Sequence, residues 1–319
     1  MLKKTMSDQL ASTYGAWLIS LFVETILYGM GALQTWLYFQ WWPRDKRHIK
    51  APVLIVIALE TIQIVFFFRS SYFRFVQRFG IPQGDLVWSD SLQLLANYLS
   101  AFTVQIYFAG RIYRLTKELI TYKPSRLGIY VIMALAFIQL SAGITQTIFT
   151  YVLRSFEKLE KTKPITTIQT AASLACDVGI TLYLCVYLHR HKNGMSMINS
   201  MLNTLIIYAI NRGALTTISS GLTMGLFLWK PDSFWFFLAL APNSKLYMNS
   251  MLATLNTRQH VRDKANSNDH SLHMETLHSG GSRSINIQGP QSVSAVTFKT
   301  DSLNNVELGG KKSEFLAGE

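Results

Sequence analysis

The apolar residues of this chain form seven long blocks, separated by short polar stretches that contain prolines and basic residues. Each block has about 20 or more residues, which is enough for a helix to cross the roughly 30 Å hydrocarbon core of a bilayer. The blocks are predicted to be helices, because an open sheet would leave backbone groups without hydrogen bonds in lipid. They cover about residues 14–40, 52–72, 88–110, 127–152, 165–188, 201–229 and 233–256.

This pattern predicts an all-α, polytopic membrane protein, with a seven-transmembrane-helix bundle over residues 14–256. Residues 1–13 form a short N-terminal segment in front of the bundle. Residues 257–319 contain seven basic and seven acidic side chains and are rich in serine, asparagine and glycine. Such a composition buries too little apolar surface to fold by itself, so this C-terminal tail is predicted to be disordered.

The distribution of lysine and arginine predicts the orientation of the bundle. The loops after the first, third and fifth blocks, together with the tail, hold 18 of the 30 basic residues. The N-terminus and the other three loops with their flanks hold 10, and Arg212 and Lys245 lie inside blocks. Because cytosolic loops carry the excess of positive charge, the N-terminus is predicted outside and the C-terminus in the cytosol. The plasma membrane is the expected location.

Composition and motifs exclude several other functions. Only 15% of the 319 residues are charged, against roughly 25% in an ordinary soluble domain. The net charge of +12 sits largely in short loops, where anionic headgroups account for it, so the lipid bilayer is the expected partner and nucleic acid is not. Cys176 and Cys185 lie in one block and exclude a disulfide framework. The chain contains no catalytic, metal or cofactor motif, so we expect no enzymatic activity, no metal and no cofactor.

Polar residues recur at helical spacing inside the blocks, which indicates faces that point away from lipid. Two interpretations fit these stripes: hydrogen bonds between helices, or a water-accessible cavity. The stripes are Asp90, Gln93, Asn97 and Ser100; Gln139, Gly143 and Gln146; Gln169, Ser173 and Asp177; Arg212, Thr216, Ser219 and Thr223; and Asn243, Ser250 and Thr254.

Five ionisable residues, Glu24, Glu60, Asp177, Arg212 and Lys245, lie close to the centres of their blocks. With a rise of about 1.5 Å per residue, they fall within about 5 Å of one layer in the middle of the bilayer. An isolated charge there costs roughly 2.5–3.5 kcal/mol, so these residues are expected to pair, to face inward or to be neutral. They form either a structural ion-pair network or a binding site for a small ligand or solute.

The expected pairs are Lys245 with Asp177 and Arg212 with Glu60. Three acids against two bases leave Glu24 unmatched, either protonated or free for a cationic ligand. Two further candidates complete the set of ligand-binding or ion-pair residues. Asp90 lies near the outer end of the third block, and Asn249 lies on the polar strip of the last one.

Several segments resemble a fungal family of seven-helix membrane proteins known only as a domain of unknown function. They are YFQWWPRD (38–45), FAGRIYRLTK (108–117), Asp177 in the fifth block, NRGALTT (211–217) and, above all, SKLYMNSMLATLNTR (244–258). The resemblance covers about residues 14–260 and leaves the tail outside. It implies a multi-pass membrane protein with the same seven-span layout, and it implies no activity, ligand or catalytic residue.

The span count, the predicted orientation, the basic cytosolic loops and the serine-bearing tail favour a seven-helix receptor or sensor with a cytosolic signalling partner. Fold analogy is a weak basis for function, and two alternatives remain. The layer of charge also fits a small-solute or proton-coupled transporter, although the odd number of spans and the lack of an inverted repeat count against it. The third hypothesis is a structural, membrane-organising protein.

Overall fold

The computed structural model describes residues 11–79, 85–119, 125–155, 157–190, 196–229 and 234–279. The described residues form seven α-helices and no strand, apart from one isolated bridge between Asp85 and Ser155. The helices are α1 (Ala16–Trp41), α2 (Arg47–Tyr72), α3 (Trp88–Leu119), α4 (Ser125–Leu153), α5 (Lys163–Arg190), α6 (Ser196–Trp229) and α7 (Phe237–Ser279). The predicted all-helical class is therefore confirmed.

The chain divides into two compact units. The first, Met1–His270, contains the bundle, in which each helix from α1 to α5 packs against the next one along the chain. The second is Ser271–Glu319, of which residues 271–279 are described, as helix. The predicted disordered tail begins at residue 257, but helix continues to Ser279 because no glycine or proline interrupts it between Pro242 and Gly280. Residues 280–319 of the predicted tail lie outside the described residues.

The bundle carries its polar side chains inside and its large apolar side chains outside. Phe22, Phe68 and Val152 are more than half exposed, whereas Glu60, Ser100 and many other polar residues are fully buried. In water the apolar side chains would be buried and the polar ones exposed. Lipid tails are as apolar as leucine, so in a bilayer only the polar groups need to be buried. Four helical segments are also long and apolar enough to cross a bilayer: Thr13–Trp41, Arg47–Gln77, Leu127–Leu153 and Lys163–Val186. This distribution indicates a membrane-embedded protein.

Two helices, α3 and α7, are too polar to meet that criterion over their described residues. Both lie inside the bundle. Almost every described residue of α3 from Ser89 to Ile112 is buried or half-buried, and no large apolar side chain of α7 is exposed among those described. A helix that its neighbours shield from lipid has no need of an apolar surface. The polarity of α3 and α7 is therefore a consequence of their central position.

Helices α1 and α2 each present one buried stripe to this centre. From Trp17 to Tyr38 the buried residues of α1 recur at intervals of three, four or seven, which keeps them on one face of a helix. The same spacing runs along α2 and through the short π-helical turn Phe73–Gln77 that follows it. In α2 the stripe consists of Val53, Val56, Glu60, Gln63, Phe67, Ser70 and Arg74.

Glycines allow close contacts between neighbouring helices. A Cβ atom on Gly143 of α4 would lie 2.6 Å from Cδ2 and 2.7 Å from Cγ of Tyr98 on α3. Tyr98 cannot simply swing away, because its hydroxyl donates a hydrogen bond to Gln146 Oε1 at 2.7 Å. A Cβ atom on Gly221 of α6, by contrast, would meet nothing within 4 Å.

We therefore predict that Gly143→Ala destabilises the bundle and that Gly221→Ala does not. Overpacking a filled interior costs about 1–3 kcal/mol, whereas alanine in open space gains helix propensity. The measurement is the midpoint of thermal unfolding in detergent, with Gly221→Ala as the matched control. Equal midpoints for the two variants would contradict the close contact between α3 and α4.

Candidate functional site

Four helices bring five buried polar side chains together around a single lysine. We term this group the lysine cluster. Every member is at most 4% exposed, and most are completely enclosed. Its members are Glu24 of α1, Glu60 and Gln63 of α2, Ser100 of α3, and Ser244 and Lys245 of α7.

The ammonium group of Lys245 contacts three oxygen atoms inside the cluster. Its Nζ atom lies 2.6 Å from Glu24 Oε1 and 2.7 Å from Glu60 Oε2. It also donates a hydrogen bond to Gln63 Oε1 at 2.9 Å. An ammonium group carries three N–H donors, and the cluster offers three oxygen atoms within 3 Å of it. One side chain thus joins α7 to both α1 and α2.

The two carboxylates of the cluster are held very differently. Glu60 accepts hydrogen bonds from Ser100 on one oxygen and, on the other, from Ser244 at 3.0 Å, in addition to its contact with Lys245. Glu24 contacts Lys245 through Oε1, but its Oε2 is buried and receives no hydrogen bond from the described residues. The cluster therefore supports a charge on Glu60 better than a charge on Glu24.

Two carboxylates and one ammonium group leave one excess negative charge when all three are ionised. An uncompensated charge in a buried site is expensive, so such a site takes up a proton or changes its structure. The under-coordinated Oε2 of Glu24 is the atom at which a proton fits best. The chemistry available to the cluster is therefore reversible protonation coupled to an interhelical ion pair.

Glycine and asparagine residues bring α7 close to α1 beside the cluster. A Cβ atom on Gly31 would lie 2.9 Å from the sulfur of Met248 and would collide with its terminal methyl group. One turn along α7 from Lys245, the Nδ2 atom of Asn249 donates to the backbone oxygens of Leu27 and Lys245, at 2.9 and 2.8 Å. Its Oδ1 accepts no hydrogen bond from the described residues. Asn249 thus fixes α7 against the backbone of α1.

Asp177 lies in a separate polar group on the other side of α7. The Tyr247 hydroxyl donates a hydrogen bond to Asp177 Oδ2, and it lies 3.1 Å from the Ser173 hydroxyl. Ser173 and Asp177 are four residues apart on α5 and therefore share one face. All three side chains are at most 2% exposed.

The expected pairing of Lys245 with Asp177 is therefore wrong, and so is the expectation that Glu24 is unmatched. Lys245 binds Glu24 and Glu60. The reason is the geometry of α7, on which residues two apart point about 200° away from each other. Tyr247 faces α5, so Lys245 must face α1 and α2. The side chain of Arg212 lies outside the described residues, and in the described part Glu60 pairs with Lys245 instead.

Asp90 belongs to a third buried ion pair, at the end of the bundle where α1 begins. Its two oxygens face the guanidinium group of Arg74 at 2.5 and 3.1 Å, with Ser70 bound alongside. The guanidinium carbon of Arg74 lies 4.4 Å from the centre of the Trp17 ring. Asp90 also accepts the backbone N–H of Val87 at 2.8 Å, which caps the start of α3.

A fourth pair closes the opposite end of the bundle. Arg258 of α7 binds Asp45, in the loop between α1 and α2, at 2.6 Å. The Tyr38 hydroxyl donates to the same carboxylate oxygen at 3.0 Å, and the guanidinium carbon of Arg258 lies 4.5 Å from the centre of the Trp42 ring. The first and last of the quoted sequence segments, 38–45 and 244–258, are therefore in direct contact.

The polar stripes meet at a small cavity in the middle of the bundle. Its volume is about 20 Å³, which is room for about one water molecule. Gln139 and Asn243 each leave a buried side-chain oxygen without a hydrogen bond from the described residues. The stripes thus act mainly as contacts between helices. Six of their members line the cavity: Asn97, Gln139, Gln169, Ser173, Thr223 and Asn243.

Four residues of these groups were missed by reasoning from the sequence. Gln63 follows Glu60 by three positions, so the helical spacing of polar residues on α2 contained a usable signal for it. Ser244 directly precedes Lys245 and was also missed. Tyr247 is an aromatic residue in an apolar block and gave no such signal. Arg74 fell outside the predicted second block, which ended at residue 72, although the stripe of α2 continues to it.

A double-mutant cycle tests which carboxylate binds Lys245. Lys245→Met leaves two buried carboxylates without a cation, so we expect a loss of about 3–5 kcal/mol. Glu60→Gln combined with Lys245→Met should cost less than the sum of the single changes, with a coupling of about 1 kcal/mol or more. The measurement is the free energy of unfolding by SDS titration in mixed micelles.

Asp177→Asn is the matched control in this cycle. Because Asp177 faces Tyr247 and not Lys245, the losses of unfolding free energy caused by Asp177→Asn and by Lys245→Met should be additive to within about 0.5 kcal/mol. A coupling of Lys245 to Asp177 as large as its coupling to Glu60 would contradict the arrangement of α7.

Comparison with known proteins covers the C-terminal part of the bundle. Residues 173–260 match the model of a family of unknown function, DUF6534. This segment contains Asp177, Lys245 and Asn249, together with Tyr247 and Arg258. No curated protein and no solved structure matches the chain significantly. Residues 173–260 are therefore similar to a family of unknown function, and the last helix of this segment supplies Ser244 and Lys245 to the lysine cluster.

Proposed function

We propose that this chain is a seven-helix membrane receptor or sensor, in which the lysine cluster holds α7 against α1 and α2 in the resting state. In this proposal all seven helices cross the bilayer, as in the fungal family that the sequence resembles. The N-terminus lies outside and the C-terminus in the cytosol of the plasma membrane. Movement of α7 transmits the signal to a cytosolic partner.

The observation that carries the proposal is the position of Lys245. It is completely buried, and its two carboxylate partners come from two other helices. Lys245 faces two carboxylates, so its pair with Glu60 holds α7 whether or not Glu24 carries a proton, and a change at that pair alters how the helices are held together. A protein switches when a small local change biases an element with two arrangements. The contact of α7 with α1 and α2 is such an element.

The same cluster argues against a purely structural role. Replacing a buried ion pair by well-packed apolar residues is often neutral or stabilising. A protein that needed only to fasten α7 would be served at least as well by leucine and phenylalanine. Charges retained at such a site favour a role in switching or binding.

The central positions of α3 and α7 support the count of seven spans. Both are surrounded by helices that carry the exposed apolar side chains, which supports the proposal that they cross the bilayer inside the bundle. The excess of basic residues in the loops after α1, α3 and α5 supports the orientation. Both features belong to the proposal and are open to direct test.

A proton-coupled transporter is the second candidate, and the uncoordinated Oε2 of Glu24 favours it. Transporters bind their coupling ion near the middle of the bilayer. The receptor fits better because the lysine cluster is sealed, and the small central cavity holds about one water molecule. Proton uptake by proteoliposomes that Glu24→Gln abolishes would reverse this preference.

The proposal predicts that Lys245→Met releases the end of α7. Spin labels on His48→Cys in α2 and Gln259→Cys in α7, both near the Arg258 end of the bundle, report the separation. The background lacks the two native cysteines, Cys176 and Cys185. The wild-type cluster should give one narrow distance distribution, and Lys245→Met should add a second, longer one.

Glu24→Gln is the control for this experiment. It removes the excess charge but keeps Lys245 paired with Glu60, so the single distribution should remain. If Lys245→Met lowers the melting temperature without producing a second distance, the cluster is a structural fastening and the receptor proposal is wrong.

A further inference from the structure

A cleft of about 540 Å³ opens at the end of the bundle where α1 begins. Its size is within the range of roughly 300–1,000 Å³ that small-molecule sites occupy. On one side the cleft is lined by residues from 73–78 and 85–91, and on the other by the C-terminal end of α4. Aromatic rings from three places line it: Phe73, Trp88 and Tyr151.

The charges in the cleft are unbalanced. Arg78 binds Asp85 at 2.9 Å, so these two side chains neutralise each other. Arg154 also lines the cleft, and its guanidinium carbon lies 5.7 Å from the centre of the Tyr151 ring. No carboxylate pairs with Arg154 among the described residues. One positive charge at the rim is thus available to a ligand.

The backbone conformation that places Arg154 at the cleft is strained. Its φ angle of 50° lies in the left-handed region, which glycine adopts freely and arginine does not. This turn ends α4 and directs the carbonyl of Arg154 to the N–H of Leu86, which it accepts at 3.1 Å. A glycine would make the same turn without strain, so the side chain of Arg154 has a use other than folding.

A buried hydroxyl group gives an independent sign of a ligand. Ser91 lines the cleft and is only 2% exposed. Its Oγ atom makes no hydrogen bond with the described residues. A buried polar group without a partner costs free energy, and an acceptor on a bound ligand would satisfy this one.

The wall of the cleft is connected to the buried pair of Arg74 and Asp90. Arg74 donates to the backbone oxygen of Asp85 at 3.4 Å, and Asp90 accepts the N–H of Val87 at 2.8 Å. Asp85 and Val87 both line the cleft. Through Arg74 and the ring of Trp17, a change in the cleft reaches the start of α1, the helix that carries Glu24.

We infer that this cleft binds a small amphipathic anion, a carboxylate or phosphate group on an apolar or aromatic body. Arg154 and the Ser91 hydroxyl bind the anionic group, and the three rings contact the body. The inference rests on the proposed receptor function in one respect: that the bound anion is the signal that the receptor detects. Binding itself requires the cleft alone.

The test uses 3-(4-fluorophenyl)propanoate and the protein in nanodiscs of phosphatidylcholine, with binding followed by ¹⁹F NMR. The matched neutral probe is 3-(4-fluorophenyl)propanol. Because a charge-assisted hydrogen bond is lost, the alcohol should bind at least about tenfold more weakly. Equal affinities for the acid and the alcohol would overturn the inference.

Two substitutions at Arg154 separate binding from folding. Arg154→Gln and Arg154→Gly should each weaken binding of the acid about tenfold or more. Arg154→Gly also relieves the left-handed strain, so its melting temperature should be no lower than that of the wild type. Ser91→Ala should weaken binding by a smaller factor, and Arg44→Gln, at the opposite end of the bundle, should leave it unchanged. Wild-type affinity in both Arg154 variants would overturn the site.

Nanodiscs that contain phosphatidylglycerol identify the source of the anion. If a lipid headgroup occupies the cleft, the apparent affinity for the acid falls in these discs, and Arg154→Gln removes the difference. If the ligand is a free molecule, the affinity is the same in both kinds of disc. Either result supports the anionic site and assigns its source.

The spin-label pair at residues 48 and 259 distinguishes failure of the site from failure of the proposed function. Acid that binds and shifts the distance distribution supports both. Acid that binds without any shift leaves the site intact and removes the receptor proposal. Absence of binding to the wild type overturns the site, whatever the distances show.

Discussion

The arrangement of helices in the bundle depends on the contacts of Lys245, a lysine that is completely buried. Lys245 contacts Glu24, Glu60 and Gln63, which belong to two helices, and it thereby fixes the rotation of α7. Once Lys245 faces α1 and α2, Tyr247 must face α5, and it meets Asp177 and Ser173 there. The register of α7 along the bundle is fixed at its far end by Arg258 and Asp45. A single buried cation thus determines which residues of the last helix meet each neighbour.

This arrangement is stable only because the protein distributes polarity for a bilayer. The outer surface of α1, α2, α4, α5 and α6 is apolar, and the polar helices α3 and α7 are enclosed. In such an interior an unpaired charge costs far more free energy than a paired one. Removing one partner of a pair therefore lowers the stability strongly, whereas replacing the whole cluster by apolar residues changes the stability little. That asymmetry is the basis of the proposal that the cluster acts as a switch and not only as a structural contact.

Much of the fold follows from the sequence, and much of the site does not. Block lengths and stripe spacing are local properties, so the helical class and the inward faces of Glu60, Asn97 and Asp177 could be predicted. Pairing is not local: spacing shows that Lys245 faces inward but not whether α5 or α1 lies opposite, and the predicted partner was wrong. Arg74 and the last part of α7 were missed because helices continue past the ends of apolar blocks. The strained Arg154 and the unpartnered Ser91 have no signature in sequence at all, since both depend on contacts made by the fold.

Solid-state NMR of the protein in lipid bilayers measures the central contact directly. The sample carries ¹⁵N in the lysine Nζ atoms and ¹³C in the glutamate Cδ atoms, and dipolar coupling between these nuclei reports their distance. The contacts of 2.6 and 2.7 Å predict one rigid lysine strongly coupled to two glutamates. This signal should disappear in Lys245→Met and weaken, without disappearing, in Glu24→Gln. If no lysine shows strong coupling to glutamate, or if the signal survives Lys245→Met, the lysine cluster does not exist in the membrane and the account built on it is wrong.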